Sequence, residues 1–594
     1  MLDAIVILIA ALIAWIWSSR GFFSAFLHML CVIIAGALAF ALWEPTSMLI
    51  MSFDESRTGY FTDAAWGLGL GLPFAIILAI LRTACDKLVP ANLDLDGIAN
   101  IIGGAACGAV AGVISTGMVL LSVGYLRVET EFAGYRPIQF DNNGSLVRKS
   151  GLIVPVDTLT ARFYSMLSTS TFLPFDTETL ARWRPELQDE GPLLRTNFEG
   201  GKSRQSIARD GFELMGRYQF TSDKNPKDLT SDALDPNATV ARQQSFTYVD
   251  GEAAQPASSL IEGFVLKFKA PAKETSGRVV IGPGQVRLVV QRDANDPAST
   301  MGIQPMAMIS QASGDKPALG RWRFDASETY IASVGGASDA MMAFEFLVPK
   351  GSTPLALYVK GMRVDVSQMT PFAKFGSMAE RDSAVTSGSI LPAINMSKMD
   401  RTQAAQVKTT AQGFDQIFRT GAGIPFNVQL QKDNAKGLEF DDSNWITGGT
   451  LSKFSKKDIQ GVGLEAKLSL RRFATTDDTQ IVQVTMDKRN TSFGLLSDAA
   501  ANTDRSKPVL LLDNNGAPYQ AVGYVYRGNQ ETWIYFNPQS PLSSLSDQEM
   551  PTISRSQPDQ ELVLIFRVSK GVKITSVAIG DRVIAELAPP IEVK

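Results

Sequence analysis

Long apolar runs separated by brief polar breaks fill the first 126 residues, and this pattern then stops. Four runs stand out: Leu2–Trp17, Phe22–Trp43, Ala64–Cys85 and Ile98–Leu126. A helix needs about 20 apolar residues to cross a bilayer. The last three runs supply them, while the first is marginal and reads as a short tilted span or half of a re-entrant hairpin. Four spans are expected. Asp3 is the sole charge before Arg20, so the start of the chain lacks the positive region of a cleaved signal. The stretch from Arg20 through Ala41 mimics a signal better, but two further apolar runs follow it, and retained spans are expected.

Polar residues inside these runs are few. Gly104, Gly108 and Gly112 repeat at four-residue spacing and share a helix face, where small side chains let backbones approach closely in lipid. Packing within one bundle is expected there, with self-association as the alternative. His28 lies about a turn into the second run and could titrate; an interfacial histidine bonded to backbone or headgroups is the plainer expectation. Arg20, Arg82 and Lys87 occupy the first and third loops, while Arg57 stands among Glu44, Asp54, Glu55 and Asp63 in the second. Positive loops stay cytoplasmic, which puts both termini outside, although Arg127 and Arg136 pull the other way.

Beyond the fourth run the period changes. Thr158–Leu167 and Thr177–Leu187 read as short amphipathic helices, the second N-capped by Asp176 and either ended early or kinked by Pro185. Residues 199–237, rich in Gly, Ser, Lys and Asp, read as loop or linker. Short alternating apolar segments then recur between Gly and Pro turns, among them Val286–Val290, Met341–Val348 and Leu355–Val366, as in an antiparallel β-sandwich. A second series over 430–594 repeats the plan. Phe346-Leu-Val-Pro-Lys-Gly351 parallels Phe566-Arg-Val-Ser-Lys-Gly571, Gly361-Met-Arg-Val364 parallels Gly580-Asp-Arg-Val583, and Trp322-Arg-Phe324 parallels Trp533-Ile-Tyr-Phe536. Three matches in one order argue for tandem copies. Between them, 371–428 reads as a connector in which Asp400–Phe418 is a candidate helix.

Charge and residue usage narrow the chemistry. Only four basic and eight acidic residues precede position 127, leaving 52 of the 56 basic and 52 of the 60 acidic residues for the remainder. That balance excludes a nucleic-acid binder, which needs a basic surface. His28 is the only histidine, and Cys31, Cys85 and Cys107 all lie in apolar runs. Histidine acid–base chemistry, cysteine nucleophiles, zinc sites and disulfides are thus absent from the soluble part. No phosphate-binding loop or Gly-x-Ser-x-Gly elbow occurs. Asp441-Asp442, Asp477-Asp478 and Asp513-Asn-Asn-Gly516 read as turns rather than calcium ligands, since the full cation loop is missing. No catalytic, cofactor-binding or metal-binding residue is expected.

Asp3, then Arg20-Gly21-Phe22 opening the second run, then Leu95-Asp96 leading into the Gly104/Gly108 helix, resembles the colicin V production (CvpA-like) bacterial membrane proteins over roughly residues 1–130. Where that family tends to show Asp-Arg, this chain has Asp96-Gly97; Asn100 replaces an expected glycine, and Cys107 stands where arginine is frequent. The resemblance implies an inner-membrane protein linked to toxin production or export and to envelope physiology, with no activity attached.

The expected architecture is a four-span domain (1–127), a helical collar and linker (128–237), a first Ig-like β-sandwich (238–370), a connector (371–428) and a second β-sandwich (429–594). The expected role is a non-catalytic anchor or adaptor in the bacterial inner membrane. Its extracytoplasmic β-domains would bind an envelope or protein partner, with the lipid bilayer and either a homo-oligomer or an envelope protein complex expected as partners and no nucleic acid or small-molecule cofactor. The alternative is an oligomeric pore or export component.

Overall fold

The computed structural model describes residues 1–54, 60–89, 97–129, 131, 133–140, 146–148, 151–169, 179–197, 203–231, 246–249, 251–274, 277–296, 299–312, 318–324, 330–332, 339–387, 389–391, 399–456, 458–460, 465, 468–476, 479–486, 505–514, 517–551 and 559–594. The apolar runs form helices α1 (Leu2–Ser18), α2 (Phe22–Ser52), α3 (Tyr60–Leu88) and α4 (Ile98–Gly124). Three of them, α2, α3 and α4, are long and apolar enough to cross a membrane, whereas α1 has 17 residues. Their outward faces carry exposed residues at helical spacing: Ile34, Leu38 and Leu42 on α2, and Leu72, Ile76 and Ile80 on α3. Gly21, at φ +84°, makes the sharp turn from α1 into α2. There the Phe22 amide donates to Asn100 Oδ1 over 2.6 Å, which gives the asparagine at the start of α4 a capping task.

The glycine stripe of α4 faces α1. A Cβ on Gly108 would lie 2.8 Å from the Ala14 carbonyl oxygen, one on Gly112 would lie 2.5 Å from that of Ala10, and one on Gly104 would lie 3.3 Å from Ser18. Small residues on both helices thus bring the backbones together, and the stripe is covered from within the chain. Gly108→Leu is expected to cost about 1–3 kcal/mol through overpacking, read as a lower thermal midpoint of the detergent-solubilised protein; an unchanged midpoint would mean α1 is not seated there. Between α2 and α3 the Cys31 and Cys85 sulfurs lie 3.5 Å apart. Copper–phenanthroline with oxygen should join them as a disulfide, the two electrons and two protons passing to the oxidant. Of the three cysteines, Cys107 alone would then react with maleimide; labelling of all three would contradict this packing.

α5 (Val156–Thr169) turns back beside the bundle, and its Thr160 and Tyr164 enter notches left by Gly117 and Gly36. The Tyr164 hydroxyl reaches the Val32 and Ile33 carbonyls at 3.2 and 3.3 Å. The segment expected as one helix over 177–187 instead holds α6 (Leu180–Trp183) and the start of α7 (Leu187–Arg195). Pro185 separates the two, because its ring cannot continue a helix. Thr179 caps α6, accepting from the Arg182 amide at 3.3 Å. Asp176 and Thr177 lie outside the described residues.

A large sheet-rich region follows. One sheet runs in the order Ala373–Phe375, Phe212–Phe220, Ser259–Phe268, Ala340–Pro349, Ala307–Ala312, Ala318–Arg323. A second runs Met362–Asp365, Thr353–Val359, Val286–Gln291, Thr300–Ile303, and the two share one buried core. Later in the chain the same plan returns. Phe418–Thr420, Thr479–Thr485, Glu561–Ser569, Pro518–Arg527 and Glu531–Phe536 neighbour one another in that order, and so do Arg582–Glu592, Lys573–Ile579 and Val509–Asp513. The difference is at the middle strand. Pro305 lies between the strands Thr300–Ile303 and Ala307–Ala312 of the first unit, while their counterpart Pro518–Arg527 is continuous and pairs on both sides. In each unit a Lys-Gly turn, Gly351 at φ +89° and Gly571 at φ +81°, leads out of the long strand.

Two sequence expectations need correction. The supposed linker 199–237 contains the strand Phe212–Phe220, paired with Ser259–Phe268, so the first unit begins well before residue 238. Its alternation is hidden because Arg217 points at a buried partner: Arg217 donates to both Glu262 oxygens at 2.7 and 2.8 Å. The supposed connector holds the strand Ala373–Phe375 and helix α8 (Met378–Thr386), capped by Ser377. Asp400–Phe418 is not one helix. Ala405–Lys408 is a strand parallel to residues 585–588, and Gly413, left-handed at φ +86°, starts a four-residue helix, Phe414–Ile417. Asp441 serves a turn, accepting from the Ser443 and Trp445 amides at 2.9 Å each; Asp477-Asp478 lies outside the described residues.

Candidate functional site

The apolar run of α2 ends at Trp43, and Glu44 begins a charged joint between the bundle and the first sheet unit. Glu44 accepts from Arg184, just past α6, at 3.1 Å and from Arg363, on the strand Met362–Asp365, at 2.9 Å. Arg184 also pairs with Glu190 of α7. Glu190 in turn accepts from Arg287 of the strand Val286–Gln291 at 2.5 Å and from the Tyr125 hydroxyl at the end of α4 at 2.9 Å. Burial alone would raise the Glu190 carboxyl, but Arg184 and Arg287 outweigh it and hold it below the usual carboxylate range. Arg184 lies 4.1 Å over the Trp43 ring, and Arg363 lies 4.6 Å over Trp183.

Further contacts fix the same joint. Arg127 pairs with the buried Asp63 of α3 at 3.0 Å, and the Gln205 amide donates to the Tyr125 carbonyl at 2.8 Å. The turn at Gly361 sits on Trp66 of α3: a Cβ there would lie 2.5 Å from the indole nitrogen. The Trp43 indole donates to the Trp66 carbonyl at 2.8 Å.

Beside this charged knot opens a cleft of about 470 Å³. Ala37, Phe40 and Ala41 of α2 and Tyr164 and Leu167 of α5 form its apolar part; Glu44, Arg184, Arg363 and Trp183 close its other end. A concave, mostly apolar space with a few convergent polar groups is the usual form of a binding site.

Glu186, buried at the N-terminus of α7, accepts from the Gly302 amide at 2.8 Å, while Arg287 stays 4.0 Å away. Burial pushes its carboxyl up to about 7. A raised carboxyl binds its proton more tightly in the folded protein. Its contribution is therefore complete below about pH 4.5, its ordinary value, and lost as pH rises through about 7. Relative to Glu186→Gln, wild type should lose roughly 2–3 kcal/mol between pH 5 and 8. Thermal midpoints of both proteins across that range check this, and parallel curves would contradict it.

The residues singled out from the sequence do not converge on this site. Asp3 accepts from the Ile153 amide at 2.7 Å near the sheet end of the bundle. Arg20 and Gly21 lie at the opposite end, where Arg20 stands 4.9 Å over Trp17. His28 is buried there, stacked on the same ring at 3.9 Å, and among the described residues its Nδ1 has no hydrogen-bond partner. Asp96 lies outside the described residues. Glu44 and Asp63 were visible as acids beside apolar runs, and this was the available signal; Arg184, Glu190, Arg287 and Arg363 carried none, being scattered over 180 residues of ordinary polar sequence. Among the described residues no group of three His, Cys, Asp or Glu side chains is placed to hold a metal ion.

No family model, no curated protein and no solved structure matches this chain. The reading of function therefore stands on the geometry of the joint and cleft.

Proposed function

We propose that the protein is a non-catalytic membrane anchor and adaptor, in which four spans hold two Ig-like β-units outside the cytoplasm to engage an envelope protein or a second copy of the chain. The carrying observation is the double pairing of Glu44 with Arg184 and Arg363, which keys the first sheet unit onto the end of a membrane helix. The positive loops expected at the far end of the bundle and the short motifs shared with the colicin V production proteins support an inner-membrane location with the sheets outside. The pore alternative draws nothing from the glycine stripe, whose face is taken by α1.

Protease added to intact spheroplasts should remove the sheet region and leave a helical fragment; complete protection would overturn the placement. Photo-cross-linkers at Phe440 and Leu468, both exposed on the second unit, should yield a discrete adduct with an envelope protein or a second copy. Recovery of the unlinked monomer alone would overturn the adaptor role.

A further inference from the structure

We infer that the cleft between α2, α5 and α6 binds one acyl chain of an anionic phospholipid, with the phosphate held at Arg363. Its α2 wall, Ala37 and Ala41, adjoins Leu38 and Leu42, which are exposed on the outer face of the bundle. The space is therefore continuous with the surface that lipid covers. From Ala37 to Glu44 the helix rises roughly 10 Å at 1.5 Å per residue, a depth suited to part of a chain rather than to a compact polar metabolite.

The charged end selects the headgroup. A chain leaving bilayer lipid for an apolar cleft gains little, since both surroundings are apolar; discrimination must come from the polar groups. The side chain of Arg363 is 23% exposed, with Glu44 its carboxylate partner. Arg182 also lies over the Trp183 ring, at 5.5 Å, so two guanidinium groups flank one indole. Arg363 donates Nε and Nη2 to Glu44 at 3.3 and 2.9 Å, so a phosphate would be met by its Nη1 in a single charge-assisted contact.

The test uses the full chain, reconstituted in nanodiscs of equal phosphatidylglycerol and phosphatidylcholine, then released into detergent for native mass spectrometry. Wild type should retain one phosphatidylglycerol. Arg363→Gln should reduce that retention roughly tenfold, as expected for one lost charge-assisted contact. Ala41→Trp, which fills the cleft from its rim, should abolish it while Cys31–Cys85 cross-linking reports an intact bundle. Inorganic phosphate should not displace the lipid. Equal retention of phosphatidylcholine, displacement by phosphate alone, or retention unchanged in Ala41→Trp would each overturn the inference. The proposed adaptor role does not enter this result, because the assay contains no protein partner.

Discussion

Replacing Glu190 with Gln is expected to destabilise the protein by about 3–5 kcal/mol, the usual consequence of removing one member of a buried ion-paired group. Arg184 and Arg287 are both deeply buried and both donate to this carboxylate. Without it, Arg184 keeps Glu44, but Arg287 faces Glu186 alone at 4.0 Å. Glu186 should then ionise more readily, since its acidic neighbour is gone and Arg287 is freed toward it. The fall in stability from pH 5 to 8 seen in wild type should shrink accordingly. Thermal unfolding of wild type, Glu190→Gln and Glu190→Asp in detergent checks both parts. A midpoint unchanged in the Gln protein would mean the two arginines reach water.

A comparable loss is expected inside the first sheet unit. Glu345 accepts from Tyr218 at 2.9 Å, Arg321 at 2.6 Å and Arg381 of α8 at 3.3 Å, and neither arginine has exposed side chain. Glu345→Gln should cost about 3–5 kcal/mol, because two buried cations lose their common anion. Burial would raise this carboxyl, but Arg321 and Arg381 overcome it and hold it at about 2. A depressed carboxyl stabilises the fold above its ordinary value near 4.5, and that contribution is lost as pH falls toward 2. Wild type should thus lose roughly 3 kcal/mol on acidification, while the Gln variant, already without it, stays flat from this source. Identical acid transitions in the two proteins would contradict the assignment.

How much of this was legible in the sequence differs by element. The helices were plain, because a lipid-facing element must be apolar over its whole length and nothing competes with that signal. Several strands after residue 238 were legible through their apolar alternation between Gly and Pro turns, though Thr300–Ile303, Ala307–Ala312 and Ala318–Arg323 were not singled out. Elements whose inward residues are charged stayed hidden as well. Phe212–Phe220 carries Arg217 and Gln219 to the buried Glu262, so composition made it a loop. The joint was hidden for the same reason: Glu44, Arg184, Glu190, Arg287 and Arg363 are each ordinary surface residues by type, and only long-range folding makes them partners. The break at Pro185 was legible in the helix expected over 177–187, but α7, which continues to Arg195, was not, because its inward face carries Asp189 and Glu190.

The seating of Gly361 on Trp66 has a mechanical corollary. Since the hairpin rests on an indole anchored in α3, and α3 is braced by α2, this β-unit is seated directly on the helical bundle. A pull applied to the sheets would be felt directly by the helices, in the manner of a mast stepped on a keel rather than a buoy on a rope.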